Sequence, residues 1–494
     1  MQELYRLSLA EIGEKQKLYI HSEREHASFP LSFQKGEKID FTTYFNGFNI
    51  RKWERFTTLE GVTLDLELEG TFEITYFRWG REGCSELGKE RISGPHHSHC
   101  FSLGAAPQDI YGFALRSLSS PALLKGGAWK GDFAEWENRK LGISITTFKR
   151  EDYVKRNIQV IRSFQKQHPW LVLQVVDNGS TLQEMEQQDF RILHNRNYGG
   201  SGGFTRGMLE YVSRGDADDI LLMDDDIVLD TTALERTHSM LCGLKKSCRN
   251  HFLAGAMLSM EEPTRQYENT ACWKKIRLYG FGKGFDLTKP QTLAANEVRL
   301  DPRNRYGAWW YCVIPVKRIQ EIGYPLPVFV KGDDMEYGIR NQQECITLNG
   351  IGVWHQSFQS KISPVVNYYS DRNMLIINNY ALDCGFLTFC IAVCGRFVKR
   401  LFQFDLRSLL CLKEALADYN RGLSGITAMP ADQKMREILQ RVNGPCSWTV
   451  FFSSLTAVVK TILLYQRTSN EYKTFRKEKL MDARFWRQFL FLEG

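Results

Sequence analysis

Nowhere in this chain does an uninterrupted apolar run reach the ~20 residues that a membrane-spanning helix needs. The stretch Phe386 to Cys394 is too short, and Trp448 to Tyr465 is broken by Lys460 and two serines. The N-terminus, MQELYRLSLAEIGEKQ, lacks a basic segment followed by an apolar one, so it does not read as an export signal. The 12 cysteines form no CxxC pair and read as reduced thiols, mostly buried, in a cytosolic protein. Proline is scarce at 14 residues, against 39 glycines and a hydrophobic share of 43%, which excludes a collagenous, fibrous or mainly disordered chain. A strong charge of one sign is missing too: Lys+Arg 64 against Asp+Glu 57 leaves +7, spread over many residues, and no nucleic-acid partner is expected. Two nucleotide fingerprints are incomplete. Thr205 stands at the last glycine position of a GxGxxG, and Gly284 follows Gly282-Lys283 where a P-loop requires Ser or Thr.

What is present is a chain of 494 residues, enough for about three domains. In the first ~135 residues, Val62, Leu64, Leu66 and Leu68 alternate with polar residues, Glu69-Gly70 turns the chain, and Phe72, Ile74 and Tyr76 resume the alternation. This is the period of half-buried strands, and residues 1–137 are expected to form a β-sandwich of jelly-roll type. His96, His97, His99 and Cys100 crowd one short stretch after Gly94-Pro95, read as a solvated loop or, alternatively, a metal site. Residues 138–380 change rhythm. LGISITTF, LVLQVVDNGS, FRILHN and DDILLMDDDI read as strands, with helices over Asp152 to Gln167 and Phe204 to Arg214. Strands alternating with helices predict an α/β domain with a largely parallel sheet. From 381 to 494 the pattern is helical, as in Leu406 to Asn420. Basic residues follow both apolar stretches there: Arg396, Lys399 and Arg400 after the first, Arg467 after the second. They suit core helices or an amphipathic face on an anionic membrane.

Parallel sheets bind ligands at the carboxyl ends of their strands. Those ends carry Thr146 to Arg150, Asp177-Asn178, Asn197 and Asp224-Asp225-Asp226. Three carboxylates at a buried strand end repel one another unless a cation joins them, and hard oxygens suit Mg2+ or Mn2+. The plainer alternative is a solvated acidic turn. The run Asn197 to Gly203 precedes a helix and can admit a ligand to its backbone, or can be a flexible turn. Trp309-Trp310 can be strand core or a platform for a sugar ring. VFVKGDDMEYGIR places Asp333 and Asp334 at a strand end before a helix, where one carboxylate can cap the helix and the other is a candidate base. His355 ends a short apolar run, as a structural residue or an extra metal ligand.

FKRED, VVDNGS, NYGGSGGFTRG, ILLMDDDI, AWWY, PLPVFVKGDDMEYGIR and GVWHQSF occur in the order seen in glycosyltransferase family 2. The chain resembles its galactofuranosyltransferase branch, typified by a mycobacterial galactan polymerase, most specifically from about residue 141 to about residue 380. One departure is Gly332, where the mycobacterial enzyme carries a tryptophan before its acidic pair. The resemblance implies a GT-A fold flanked by the β-sandwich and the helical domain. It implies inverting, metal-dependent transfer of galactofuranose from UDP-galactofuranose to a hydroxyl of a glycan or lipid-linked glycan, in bacterial cell-surface polysaccharide synthesis. Arg150, Asp177 and Asn197 would hold the nucleotide, with Asp225 near the donor sugar. Asp224 and Asp226, a DXD motif, would bind Mn2+ or Mg2+ with His355. Asp334 would be the general base, Asp333 would position acceptor hydroxyls, and Trp309 and Trp310 would line the acceptor site. The expected location is cytoplasmic, with peripheral contact on the inner face of the cell membrane and a homo-oligomer as further options. The alternatives are a UDP-galactose, UDP-glucose or dTDP-rhamnose donor, a nucleotidyltransferase, or a catalytically dead glycan-binding scaffold.

Overall fold

In the computed structural model of the protein, the described residues are 1–494 without 81, 105–109, 183–189, 275, 358–363, 383, 403–404, 429 and 493–494. Phe358, the last residue of GVWHQSF, lies outside them. The N-terminal strands are β1 (Gln2–Arg6), β2 (Leu31–Phe33), β3 (Lys38–Asp40), β4 (Leu59–Glu69), β5 (Thr71–Gly80), β6 (Gly83–Ser93), β7 (His96–Phe101), β8 (Ile110–Ser117) and β9 (Ala122–Phe133), with helix α1 (Ile50–Phe56) before β4. They form two antiparallel sheets, one ordered β1-β9-β4-β7 with β2 beside β9, the other β3-β8-β5-β6. Val62, Leu64, Leu66 and Leu68 are all buried, because one face of β4 is pressed into the core. Gly70 turns into β5 with φ +97°, and a Cβ there would meet Ser119 Oγ at 2.7 Å, so only glycine suits the turn. The histidine-rich stretch is not a loop. It is β7, whose backbone pairs with β4 in the register Leu64↔His99 and Leu66↔His97. His97 Nε2 lies 2.6 Å from the Tyr76 hydroxyl, and His99 stacks on the Tyr76 ring at 3.5 Å.

The middle of the chain begins with β10 (Leu141–Thr147), α2 (Glu151–Gln165), β11 (Leu171–Asp177), β12 (Phe190–His194), α3 (Gly199–Arg214) and β13 (Asp219–Asp224). It continues through β14 (Val228–Leu229), α4 (Thr232–Cys242), β15 (Leu253–Ala254), β16 (Ala256–Ser259), β17 (Gln266–Glu268), β18 (Ala271–Lys274), β19 (Arg277–Gly280) and α5 (Pro290–Asn296). β20 (Arg305–Tyr306), β21 (Cys312–Pro315), α6 (Val316–Ile322), α7 (Asp333–Asn341) and β22 (Gly352–His355) follow. The main sheet is ordered β12-β11-β10-β13-β21-β15, with parallel pairing from β12 to β13 and antiparallel pairing at β21. Its register aligns Thr146 with Asp224 and Thr147 with Asp177, so the polar strand ends form one row. A second sheet, β14-β22-β16-β17, brings His355 and Glu268 to that end of the molecule. Two expectations change. α3 starts at Gly199 rather than Phe204, taking the glycine run into its first turns. The residues VFVK before Asp333 pair with no strand; the segment is irregular, and Gly332, at φ 94°, precedes α7.

After residue 363 come α8 (Pro364–Tyr380), α9 (Phe386–Phe402), α10 (Leu406–Tyr419), α11 (Gly422–Thr427), α12 (Ala431–Asn443), α13 (Thr449–Leu463), α14 (Tyr465–Phe475) and α15 (Ala483–Phe489). α10 packs against α8, α9 and α13 around Phe389, Leu412, Leu416 and Val458. A larger core runs without a break from Leu4 and Trp129 of the N-terminal sheets to Ile145, Leu221 and Val353 of the middle sheets. All twelve cysteines are thiols outside any disulfide, but only five are buried, because three lie on exposed strand or helix faces and four are half-covered.

Candidate active site

The acidic triplet closes β13, the fourth strand of the parallel run. Asn157 of α2 donates to the carbonyls of Asp225 (2.8 Å) and Ile227 (3.1 Å), which fixes the backbone of the turn. Asp224 and Asp226 then face His355 from the neighbouring sheet. One ligand atom from each of the three lies within 4.8 Å of the others, and this is the metal-capable group of three found among the described residues. The His96–Cys100 stretch makes no such group. His355 Nε2 is 3.0 Å from Asp226 Oδ1, while Nδ1 lies 2.5 Å from the Gln356 carbonyl. With Nδ1–H donating to that carbonyl, Nε2 keeps its lone pair for a ligand. Burial works against a charged His355, but Asp226, Asp224 and Gln356 outweigh it and its pKa is raised. Two carboxylates and an imidazole at this spacing fit Mn2+ or Mg2+ with positions left for phosphate oxygens.

Asp225 points elsewhere. It accepts from Thr147 Oγ1 at 2.7 Å and from Arg150 Nη1 at 3.2 Å, and Arg150 also pairs closely with Asp226. Arg150 therefore meets the triplet itself. Burial raises the pKa of Asp225, against the pull of Thr147 and Arg150. Asp177 is fully buried and accepts the amides of Gly179, Thr181 and Leu182 at 2.6–2.9 Å, which makes it the builder of its own turn. Asn197 likewise accepts from Gly199 N–H at 3.0 Å and shapes the entry to α3. A cavity of about 700 Å³ opens beside these turns, lined by Asn178, Asn195, Arg196 and Asn197, with Arg436 of α12 and Phe491 opposite.

Asp333 and Asp334 are the first two residues of α7, and Asp334 Oδ1 accepts the first-turn amide of Met335 at 2.7 Å. Asp333 leans towards α3: a Cβ on Gly200 would lie 3.5 Å from its Oδ2. A helix N-terminus favours negative charge, and the first turns of α3 and α7 meet here. Even so, burial pushes both carboxyls well above the ordinary range, and Asp333 is raised further by Asp334 and Asp224. The Met335 amide, and then Lys331, pull Asp334 back down. The pair thus shares one electrostatic field with the Asp224–Asp226–His355 group.

Glu268 escapes a reading of the sequence. It ends β17 facing Asp334, and burial followed by that neighbouring charge raises its pKa to about 7. Tyr306 lies beside both acids, and its phenol is held neutral by burial and by their charges. A lone Glu in QYEN carries no motif; only the antiparallel pairing of β17 with β16 brings it to the site. Trp309 and Trp310, by contrast, are each 5% exposed and divided between two cores. Trp309 packs edge-on against Phe204 at 5.2 Å, and Trp310 donates to the Gly255 carbonyl at 2.9 Å. The structure uses both indoles as packing.

A model of the family "Galactofuranosyltransferase 2 N-terminal" matches residues 2–103. The chain is similar to the galactofuranosyltransferase GlfT2 of Mycolicibacterium smegmatis, at 25% identity over 468 residues, covering 85% of this chain and 71% of that protein. It is also 25% identical over 407 residues to GlfT2 of Mycobacterium tuberculosis, covering 73% of this chain and 62% of that one. Among solved structures, a mannosyltransferase from Pyrobaculum calidifontis in complex with GDP-Man and Mn2+ aligns with 69% of this chain and 88% of its own, at 10% identity and a TM-score of 0.33. S. aureus TarS 1-349 in complex with UDP aligns with 68% of this chain and 91% of its own, at 12% identity and 0.35. Scores that low do not establish a shared architecture.

Proposed function

We infer that this chain, a glycosyltransferase related to the galactofuranosyltransferases, moves galactofuranose from UDP-galactofuranose to a hydroxyl of a glycan or lipid-linked glycan, with inversion at the anomeric carbon. The observation that carries this reading is the Asp224–Asp226–His355 group with the acidic pair close by: Asp333 is buried and near enough to Asp224 for that charge to raise its pKa, and Asp334 is half-buried beside it. In this reading residues 138–380 are a GT-A transferase unit, 1–137 a supporting β-sandwich and 381–494 a helical domain. Asp224, Asp226 and His355 would hold Mn2+ or Mg2+, whose charge offsets that developing on the departing UDP. Asp334 takes the acceptor proton as the new C–O bond forms and the bond to UDP breaks, through a transition state with oxocarbenium character. Asp333 orients the acceptor hydroxyls. Arg150 and Asp225 lie beside the diphosphate and donor sugar. Asp177 and Asn197 act through the turns they hold, at the rim of a cavity whose 700 Å³ suits a nucleoside. Trp309 and Trp310 back the acceptor side from within the core.

The test is incubation of the purified chain with UDP-galactofuranose, UDP-galactopyranose or UDP-glucose and a short galactoside, with Mn2+ or EDTA, reading UDP release and product mass. Metal-dependent transfer from UDP-galactofuranose, lost in Asp334→Ala, is the expected result. Transfer from another donor alone would reassign the sugar. No UDP release with any donor, and no UDP binding with metal, would leave a glycan-binding scaffold.

The C-terminal helices add a location to this reading. Leu387, Ile391, Val398 and Phe402 of α9 and Phe452, Leu455, Val459 and Leu463 of α13 are exposed along two neighbouring stripes, with Leu387 at 73% and Leu463 at 78%. Neither helix contains an acidic residue, and Lys399 and Lys460 are exposed beside the stripes. No single helix among the described residues is long and apolar enough to cross a membrane. An apolar face on two helices whose charged residues are all cations suits the surface of an anionic bilayer. The chain should sediment with phosphatidylglycerol vesicles and not with phosphatidylcholine ones, and Leu387→Asp with Phe452→Asp should abolish this; equal sedimentation of the double variant would overturn it.

A further inference from the structure

The acidic pair is delivered by a strained piece of backbone. Phe329, Lys331 and Gly332 have φ of 74°, 65° and 94°, and the first two are side-chain-bearing residues in a region that such residues avoid. Backbone of this kind persists only where its surroundings over-determine it. Here they do so from α8. The Nδ2 amide of Asn373, a residue 1% exposed, lies 2.7 Å from the carbonyl oxygens of both Val330 and Lys331 and 3.3 Å from that of Val328. Arg372 orients this amide, donating from Nε to Asn373 Oδ1 at 2.9 Å, and takes the Val328 carbonyl itself through Nη2 at 2.9 Å. On the other side Ser201 of α3 donates its N–H to the Phe329 carbonyl at 3.1 Å. The carbonyls that Asn373 holds belong to the residues leading into Gly332, and Asp333 and Asp334 follow immediately. An asparagine amide has two N–H donors and no charge, so it satisfies two converging carbonyls that an aspartate would repel.

We propose that Asn373 is a positioning residue for the transfer reaction, fixing the Val328–Gly332 backbone so that Asp334 points at the acceptor hydroxyl. It touches no substrate. The proposal rests on Asp334 being the base, and it places a determinant of catalysis on α8, 39 residues further along the chain.

The test compares Asn373→Ala and Asn373→Ser with the unaltered chain and with Asp334→Asn. It reads kcat and KM for UDP-galactofuranose transfer, and the affinity for UDP with Mn2+ by calorimetry. A small misplacement of a catalytic group costs on the order of 100-fold in rate. Asn373→Ala should therefore lose about 30- to 100-fold in kcat, with UDP–Mn2+ affinity within about twofold. Asn373→Ser, which keeps one donor, should fall between, and it carries the test if the alanine variant does not accumulate folded. A kcat within about threefold in the folded variants would overturn the proposal. So would a loss of kcat matched by an equal loss of UDP–Mn2+ affinity, which would mark general disruption. Asp334→Asn separates the two readings: if it retains transfer, the assignment of the base fails; if it is inactive while Asn373 variants are normal, only the positioning role fails.

Discussion

Asp333 is buried and Asp334, next to it, is half-buried, and the cost of charging them sets how the site responds to pH. Burial raises both pKa values above the usual ~3.9 of an aspartate, and the Asp334 charge raises that of Asp333 further. A base must be deprotonated to work, and kcat/KM reports the free enzyme. Activity should thus fall as pH drops through about 7 to 5, earlier than for an exposed Asp; an acidic limb near pH 4 would count against a buried base. The same shift has a stability sign. The folded chain binds protons that the unfolded chain has released, so these groups cost stability as pH rises from the unfolded to the folded pKa. Asp333→Asn removes that cost and should raise Tm at pH 7.5 by roughly 2 °C while lowering kcat; a lower Tm would show that the carboxylate is needed for the fold. The residue types of this site are legible in the sequence, since DDD, GDD and WH stand out at strand or helix ends. Glu268 is not, because its role comes from a partner 66 positions away in Asp334.

At the level of elements, α3 shows why the glycine run exists. The sequence suggests an open turn for a ligand, but Gly203 and Gly207 lie against β10, where added Cβ atoms would come 2.2 Å from Thr146 Cγ2 and 2.0 Å from Ser144 Oγ. The glycines let α3 approach the sheet closely enough to bring its first turn beside Asp333. Overpacking costs typically 1–3 kcal/mol, so Gly207→Ala should lower Tm by several degrees and reduce transfer, checked by calorimetry and UDP release. Unchanged Tm would mean that the sheet yields easily. Strands β4, β5, β10, β11 and β13 follow directly from apolar periodicity, and so does α10. β7 does not, because His, Ser and Cys carry little strand preference of their own, and β4 supplies the ladder that orders them. VFVK fails in the opposite sense: its residues favour a strand, yet bonds from α8 and α3 hold it irregular.

For the whole molecule, the boundary near residue 137 is a change of rhythm in the sequence, while the hydrophobic core crosses it. Arg236 of α4 is fully buried and donates to the Gly350 carbonyl at 2.7 Å and to the Phe45 carbonyl, with its guanidinium 3.7 Å from the Tyr5 ring centroid. Arg236→Ala leaves two buried carbonyls unpaired, each worth about 1–3 kcal/mol, and should destabilise the N-terminal and middle sheets together in one calorimetric transition. A separate early transition from one region would show that they are independent.

The sequence by itself determined the alternation of strands and helices from Leu141 to Asp224, the acidic and histidine candidates for a metal site, and the resemblance to a transferase family. These are local properties: periodicities over a few residues, and motifs whose members are neighbours along the chain. Only the tertiary structure decided that Arg150 meets the triplet, that the two indoles are packing, that Glu268 joins the acids, and that Asn373 holds the strained segment before them. Each of those depends on which side chains far apart in sequence share a few ångströms of space, which is fixed by sheet order and packing and has no counterpart in any local pattern.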